Sequence, residues 1–189
     1  MAASNTARSW GWVARAIHWI MALLILFQLG LGVWMTNFVP DLLRQFQLVQ
    51  LHKSWGFVVF ALALARIAWR LGNRAAPGLP GAPPWQVRAS HVSHLLLYLL
   101  IFVLPLSGWA TSAASPVQDM LGIENMVFGV FAMPDPWVPG VKVVADGAAR
   151  VHFFAGLLLA AVLAVHMAAA LQHHFVKRDD VLARMTWGR

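Results

Sequence analysis

The sequence predicts an all-α integral membrane protein, a bundle of four transmembrane helices with its N- and C-termini in the cytoplasm. Three observations carry this reading. Of 189 residues, 60% are hydrophobic and only 11% are charged. Apolar runs of about 20 residues recur four times, and each can cross a hydrocarbon core roughly 30 Å thick as one helix. Lipid offers no partner to open backbone groups, so helices are the economical way across.

The first span is expected near residues 14–34, after Arg8 and Arg15. It is long for the apolar part of a signal peptide, and no small-x-small cleavage site follows it. The second is expected near 48–71. A Gly- and Pro-rich connector, 72–90, leads to the third, near 92–111, where Pro105 predicts a kink. Residues 112–149 form the longest loop, with Pro116, Pro134, Pro136 and Pro139, and part of it is expected to cap the membrane surface. The fourth span is expected near 151–171. No internal repeat divides the chain, so residues 1–189 read as one domain.

Charge sets the direction. Arg8, Arg15, Arg66, Arg70, Arg74, Arg88, Lys177, Arg178, Arg184 and Arg189 fall on one side; Arg44, Lys53, Lys142 and Arg150 fall on the other. The positive-inside rule puts the first group in the cytoplasm. Trp34, Trp55, Trp69 and Trp109 near span ends suit an aromatic belt. The net charge of +7 sits at the ends of apolar runs, not in a patch interleaved with aromatics, so it argues for membrane orientation and not for nucleic acid. The chain has no cysteine, which excludes disulfides, iron–sulfur clusters and thiolate or covalently attached haem. No acidic residue falls within an expected span, unlike a carboxylate-based pump, and no nucleotide-binding fingerprint is present.

The eight histidines carry the chemistry, because an imidazole in a bilayer is costly without a partner. His152 and His166 are fourteen residues apart, nearly four turns. Both therefore face one side of span four, separated by about 21 Å along the axis. That spacing hangs two flat cofactors in two layers, and imidazole is a common axial ligand of haem iron. His52, at the outer start of span two, is level with His152; His18, near the inner start of span one, is level with His166. The pairs predict an outer and an inner non-covalent b-type haem, each six-coordinate and suited to electron transfer.

His94 faces the inner layer as well and stays an alternative to His18, or a partner for a haem propionate or a quinone oxygen. Arg66, fourteen residues after His52, faces the same side of span two, with a propionate as the expected partner and snorkelling as the plainer explanation. His173 and His174 are either a solvated helix end or a quinone and proton-handling site. Gly32 and Gly108 each lie fourteen residues after a histidine, where a porphyrin edge could approach the backbone; close helix packing is the plainer explanation. Lys53, Lys142 and Arg150 surround the outer ligands, where they would pair with propionates or steer small anions. Met21, Met35 and Met167 read as packing residues.

At ARAIHWIMALLI, LHKSWGFVVFALALARIAWRL, ASHVSHLLLYLLIFVLPLSGW and VHFFAGLLLAAVLAVHMAAALQHHFVKRDDVLARM the chain resembles the bacterial cytochrome b561 family, and more loosely the cytochrome b subunits of membrane hydrogenases and formate dehydrogenases. The resemblance implies two haem b groups ligated by His18, His52, His152 and His166, in the bacterial inner membrane. It implies superoxide oxidation at the periplasmic side with ubiquinone as acceptor, Lys53, Lys142 and Arg150 guiding the anion, and His94, His173 and His174 near the quinone. The alternative is an electron-carrying module between quinol and a periplasmic redox protein or hydrogenase-like partner, docked on the 112–149 loop.

Overall fold

A computed structural model describes residues 2–6, 9–73, 82–136 and 140–187. Arg8, Arg74, Pro139 and Arg189, invoked above, lie outside them. The order is α1 (Trp12–Asn37), α2 (Leu42–Gly72), α3 (Pro84–Ala113), α4 (Pro116–Leu121), a hairpin of β1 (Asn125–Val127) and β2 (Phe131–Met133), α5 (Lys142–Gln172), a π-turn (His173–Lys177) and α6 (Val181–Thr186). Helices α1, α2, α3 and α5 are long and apolar enough to cross a membrane, and the chain is an all-α membrane bundle.

Each spanning helix outruns its expected limits. Helix α2 begins at Leu42 because Asp41 caps it, accepting the Arg44 amide at 2.7 Å. Helix α3 begins at Pro84, whose missing N–H costs nothing in a first turn. It runs through Pro105 as one helix to Ala113. Helix α5 begins at Lys142, and its polar first turns carry a Lys142–Asp146 ion pair at 2.7 Å, one turn apart.

Packing is uneven. Helix α1 lies along α2, α3 lies along α5, and α2 meets α3; α5 has no comparable backbone approach to α1 or α2. Met21, Ala63 and Ile101 tie α1, α2 and α3 together, and Leu100, Ala155 and Leu159 seal α3 against α5. Small residues such as Ala63 and Ala155 let backbones close in, the usual route to helix association where hydrophobic driving force is absent. Leu23, Leu64, Leu99 and Leu157 point outward and stay exposed, as lipid-facing side chains do.

The expected loop at 112–149 is largely ordered as a cap. Lys53 on α2 donates to Ser112 Oγ at 3.2 Å, Gln118 Oε1 at 3.3 Å and Asn125 Oδ1 at 3.1 Å. The Phe128 amide donates to Ser54 Oγ at 2.9 Å. Phe128 holds a left-handed φ of 49°, and its ring packs edge-on to Trp55 with centroids 5.2 Å apart, a contact that offsets the strain. At the opposite, tail end, the chain reverses after the π-turn. Arg15 then donates to the Thr186 carbonyl and the Trp19 indole to the Met185 carbonyl, both at 2.9 Å, which docks α6 on α1.

Candidate functional site

The structure brings the expected histidines together in two clusters. At the cap end, His52 of α2 and His152 of α5 face each other with ring centroids 6.1 Å apart and planes at 79°. At the tail end, His18 of α1 and His166 of α5 are 6.4 Å apart at 60°. Both pairs straddle the side where α5 stands off from α1 and α2. Two imidazoles bonded at about 2 Å to opposite sides of one metal place their ring centres roughly 6 Å apart. Among the described residues, no three His, Asp or Glu side chains gather to hold a bare ion. The donor set and the ring spacing therefore fit a cofactor carrying its own metal, bound between paired imidazoles.

The surroundings of the two cap-end rings support that fit. His152 Nδ1 lies 2.9 Å from the Leu104 carbonyl and 3.2 Å from Ser107 Oγ. A carbonyl only accepts, so Nδ1 carries the hydrogen and Nε2 keeps its lone pair for a metal. The buried Nδ1 of His52 has no hydrogen-bond partner. Such an orphan costs about 1–3 kcal/mol, which suits a ring held for another purpose. Gln28 on α1 fixes the backbone beside it, donating to the His52 carbonyl at 2.8 Å.

The two glycines lie beside the cap-end imidazoles. A Cβ on Gly108 would stand 3.1 Å from His152 Cε1 and 3.2 Å from its Nδ1; on Gly32 it would stand 3.6 Å from His52 Cε1. Each therefore gives clearance to an imidazole. Because Leu104 and Ser107 hold the His152 ring against the same helix, it has little freedom to retreat. Gly108→Ala is expected to cost about 1–2 kcal/mol through overpacking, whereas Gly32→Ala stays near the parent. Thermal unfolding of the two purified variants checks both.

The tail-end cluster is richer in charge. Arg66 Nε donates to Tyr98 Oη at 3.1 Å, and its terminal nitrogens lie 3.4 and 3.5 Å from His18 Nδ1. The guanidinium groups of Arg66 and Arg70 lie over the Tyr98 ring at 5.3 and 5.1 Å. Two cations on one phenol favour an anion nearby, as a propionate would supply. His94 is also present, 5.6 Å from His166, so geometry places both candidates within reach of the same partner. Arg70 and Tyr98 were missed from sequence; Arg70 sits one turn beyond Arg66 and Tyr98 one turn beyond His94, a spacing that could have exposed them.

The remaining residues are more dispersed. Lys53 turns into the cap network, Lys142 is paired with Asp146, and Arg150 is exposed. His173 Nδ1 lies 2.5 Å from Asp179 Oδ2, and His174 is exposed with its ring against Phe175. Partial burial would raise the Asp179 carboxyl, but hydrogen bonds from His173 and the Val181 amide, with the charge of Lys177, hold it below the usual carboxylate range.

A family model described as prokaryotic cytochrome b561 matches residues 9–188. Cytochrome b561 homolog 2 of Escherichia coli (strain K12) is 31% identical over 185 residues, covering 98% of this chain and 95% of the relative. Probable superoxide oxidase CybB of Yersinia pestis is 29% identical over 171 residues, covering 89% and 90%. Cytochrome b561 homolog 1 of Escherichia coli (strain K12) is 26% identical over 172 residues, covering 89% and 92%.

Proposed function

This chain belongs to the prokaryotic cytochrome b561 family, a family of haem-b membrane electron carriers, and from that premise we propose that it is a di-haem superoxide:ubiquinone oxidoreductase of the bacterial inner membrane. The carrying observation is the pair of opposed imidazole couples, His52 with His152 and His18 with His166, on two levels of one bundle. Residues 1–189 act as one di-haem domain. The charge asymmetry puts both termini in the cytoplasm and the cap end in the periplasm.

Bound haem supplies a one-electron couple at each level. The protein supplies the rest. His152, oriented by Leu104 and Ser107, and His52, backed by Gln28, hold the outer level. His166 and His18 hold the inner level, with Arg66, Arg70 and Tyr98 arranged to bind propionate; His94 is the alternative inner ligand or lies beside the quinone. His173 and His174 stand at the quinone end. Two superoxide anions each give up one electron and become dioxygen; one ubiquinone takes both electrons and two protons and becomes quinol.

Steering of the anion is local. The cap side carries Asp41, Asp119, Glu124, Asp135 and Asp146 against Arg44, Lys53, Lys142 and Arg150, so its overall charge does not attract anions. Lys142 is neutralised by Asp146, and Lys53 contributes its charge from within the cap. Arg150, two residues before His152, is the guide with most freedom. Purified protein supplied with ubiquinone is expected to consume two superoxide per quinol formed. Arg150→Glu is expected to slow the reaction several-fold at low ionic strength, with the difference shrinking as salt screens it. No superoxide consumption by a preparation with full haem would end this reading.

The exposed Met120, Leu121, Val130 and Phe131 of the cap favour a second reading, docking of a periplasmic redox protein or hydrogenase-like complex. A co-purifying partner that reduces the haems without superoxide would select it.

A further inference from the structure

The bend that ends α5 is built around one side-chain contact. His173 lies seven residues after His166, nearly two turns, so it continues the His152–His166 face about 10 Å further along the axis. There the helix widens into the π-turn His173–Lys177, closed by the Asp179 amide donating to the His173 carbonyl at 3.2 Å. Arg178 adopts φ 55°, a left-handed conformation that a non-glycine residue takes at some cost. π-turns and strained residues gather at functional sites. Here both bring Asp179 back over His173, carboxylate to Nδ1 at 2.5 Å, with the side chains only 19% and 25% exposed. A surface charge pair would need neither distortion.

The carboxylate can only accept, so Nδ1 carries the hydrogen and Nε2 is the nitrogen left to exchange protons. The second oxygen of Asp179 is occupied, accepting the Val181 amide at 3.1 Å, which fixes the carboxylate plane. The neighbouring charges are distributed around the pair. Lys177 acts on Asp179 from within the π-turn and donates to Gln86 of α3 at 2.7 Å. Arg178 and Asp180 flank Asp179 in the bend, Arg184 lies on α6, and Arg15 of α1 is bonded to Thr186.

From this arrangement we propose that His173 is the proton donor to the quinone reduced at the tail end, and that Asp179 is its positioning residue. This rests on the quinone-reducing role proposed above and adds Asp179, which carries no other role there. In each turnover the quinone gains two electrons from the haems and two protons. The imidazolium of His173 breaks its Nε2–H bond as a quinone oxygen forms an O–H bond. Asp179 keeps the Nδ1 hydrogen throughout, and Nε2 recovers a proton from cytoplasmic water. The second proton comes from water directly.

The test uses the full-length holoprotein with its haems reduced beforehand, mixed rapidly with decylubiquinone, and follows haem reoxidation by absorbance from pH 5.5 to 9. Asp179→Asn is expected to slow the maximal rate at least about ten-fold at neutral pH. Haem content, the reduced-minus-oxidised spectrum and the quinone concentration for half-maximal rate should stay at parent values. Asp179→Glu should restore much of the rate. His173→Gln should lose about 100-fold, with no further loss on adding Asp179→Asn. An Asp179→Asn maximal rate within two-fold of the parent would overturn the proposal. Parent haems that decylubiquinone does not reoxidise would overturn the quinone reading itself, and this assignment with it.

Discussion

Replacing His152 and His166 together by alanine is expected to give a colourless protein that still folds as a membrane bundle. The two residues are the α5 members of both imidazole couples, so no level keeps an opposed pair. The fold should persist, because α5 is sealed to α3 by Leu100, Ala155 and Leu159, none of which is substituted. Each single substitution should halve the haem per protein, and the retained absorption should identify the level lost. His18→Ala and His94→Ala then separate the two inner candidates: only the true ligand removes haem, while the other shifts the spectrum. Pyridine haemochrome content, with circular dichroism to check helicity, reads all of these. A double variant that retains two haems would remove the basis for the functional assignment.

Lys53→Met is expected to release the cap while leaving the spanning helices in place. One ammonium satisfies Ser112, Gln118 and Asn125 at once. Asn125 is only 2% exposed, and it also donates to Asp135 Oδ1 at 2.5 Å. Methionine matches the length of lysine but carries no donor: Gln118 Oε1 loses its partner outright, while Ser112 Oγ keeps only Gln118 Nε2 and Asn125 Oδ1 keeps only Ser112. An orphaned buried acceptor costs about 1–3 kcal/mol, and the contributions of one network do not add simply. A loss of about 3 kcal/mol would raise local opening roughly 100-fold. Hydrogen exchange across residues 116–133 should accelerate by that order, while α3 and α5 stay protected. Unchanged exchange would mean that the hairpin is held by Trp55, Phe128 and Ser54 alone. Because Lys53 adjoins His52, the outer haem should also become more accessible to solvent.

Much of this architecture was legible along the chain. Four apolar runs gave four spanning helices, and a fourteen-residue interval in α5 gave two levels of imidazole. Helix limits were read too short because polar residues in terminal turns do not look like membrane helix. The Asp41 cap and the Pro83–Pro84 pair were available signals. A cap over 112–149 is expected from sequence but its hairpin is not, because the strands are three residues long and the anchor, Lys53, comes from another helix. Asp179 went unnoticed for a similar reason: six residues separate it from His173, and only a π-turn followed by a left-handed residue folds that distance into a hydrogen bond.

The sequence by itself determined what repeats with helical period: the spans, and the face on which His152, His166 and His173 lie. A helix has a fixed rise and rotation, so spacing along the chain is already geometry. Which residues oppose that face, and how far away they stand, depend on contacts between helices, which set both His18 and His94 beside His166. Those were decided by packing: the α5 backbone comes close to α3 and less close to α1 and α2, and the opposed ring centroids stand 6.1 and 6.4 Å apart across that side. No periodicity within one helix encodes the distance to another.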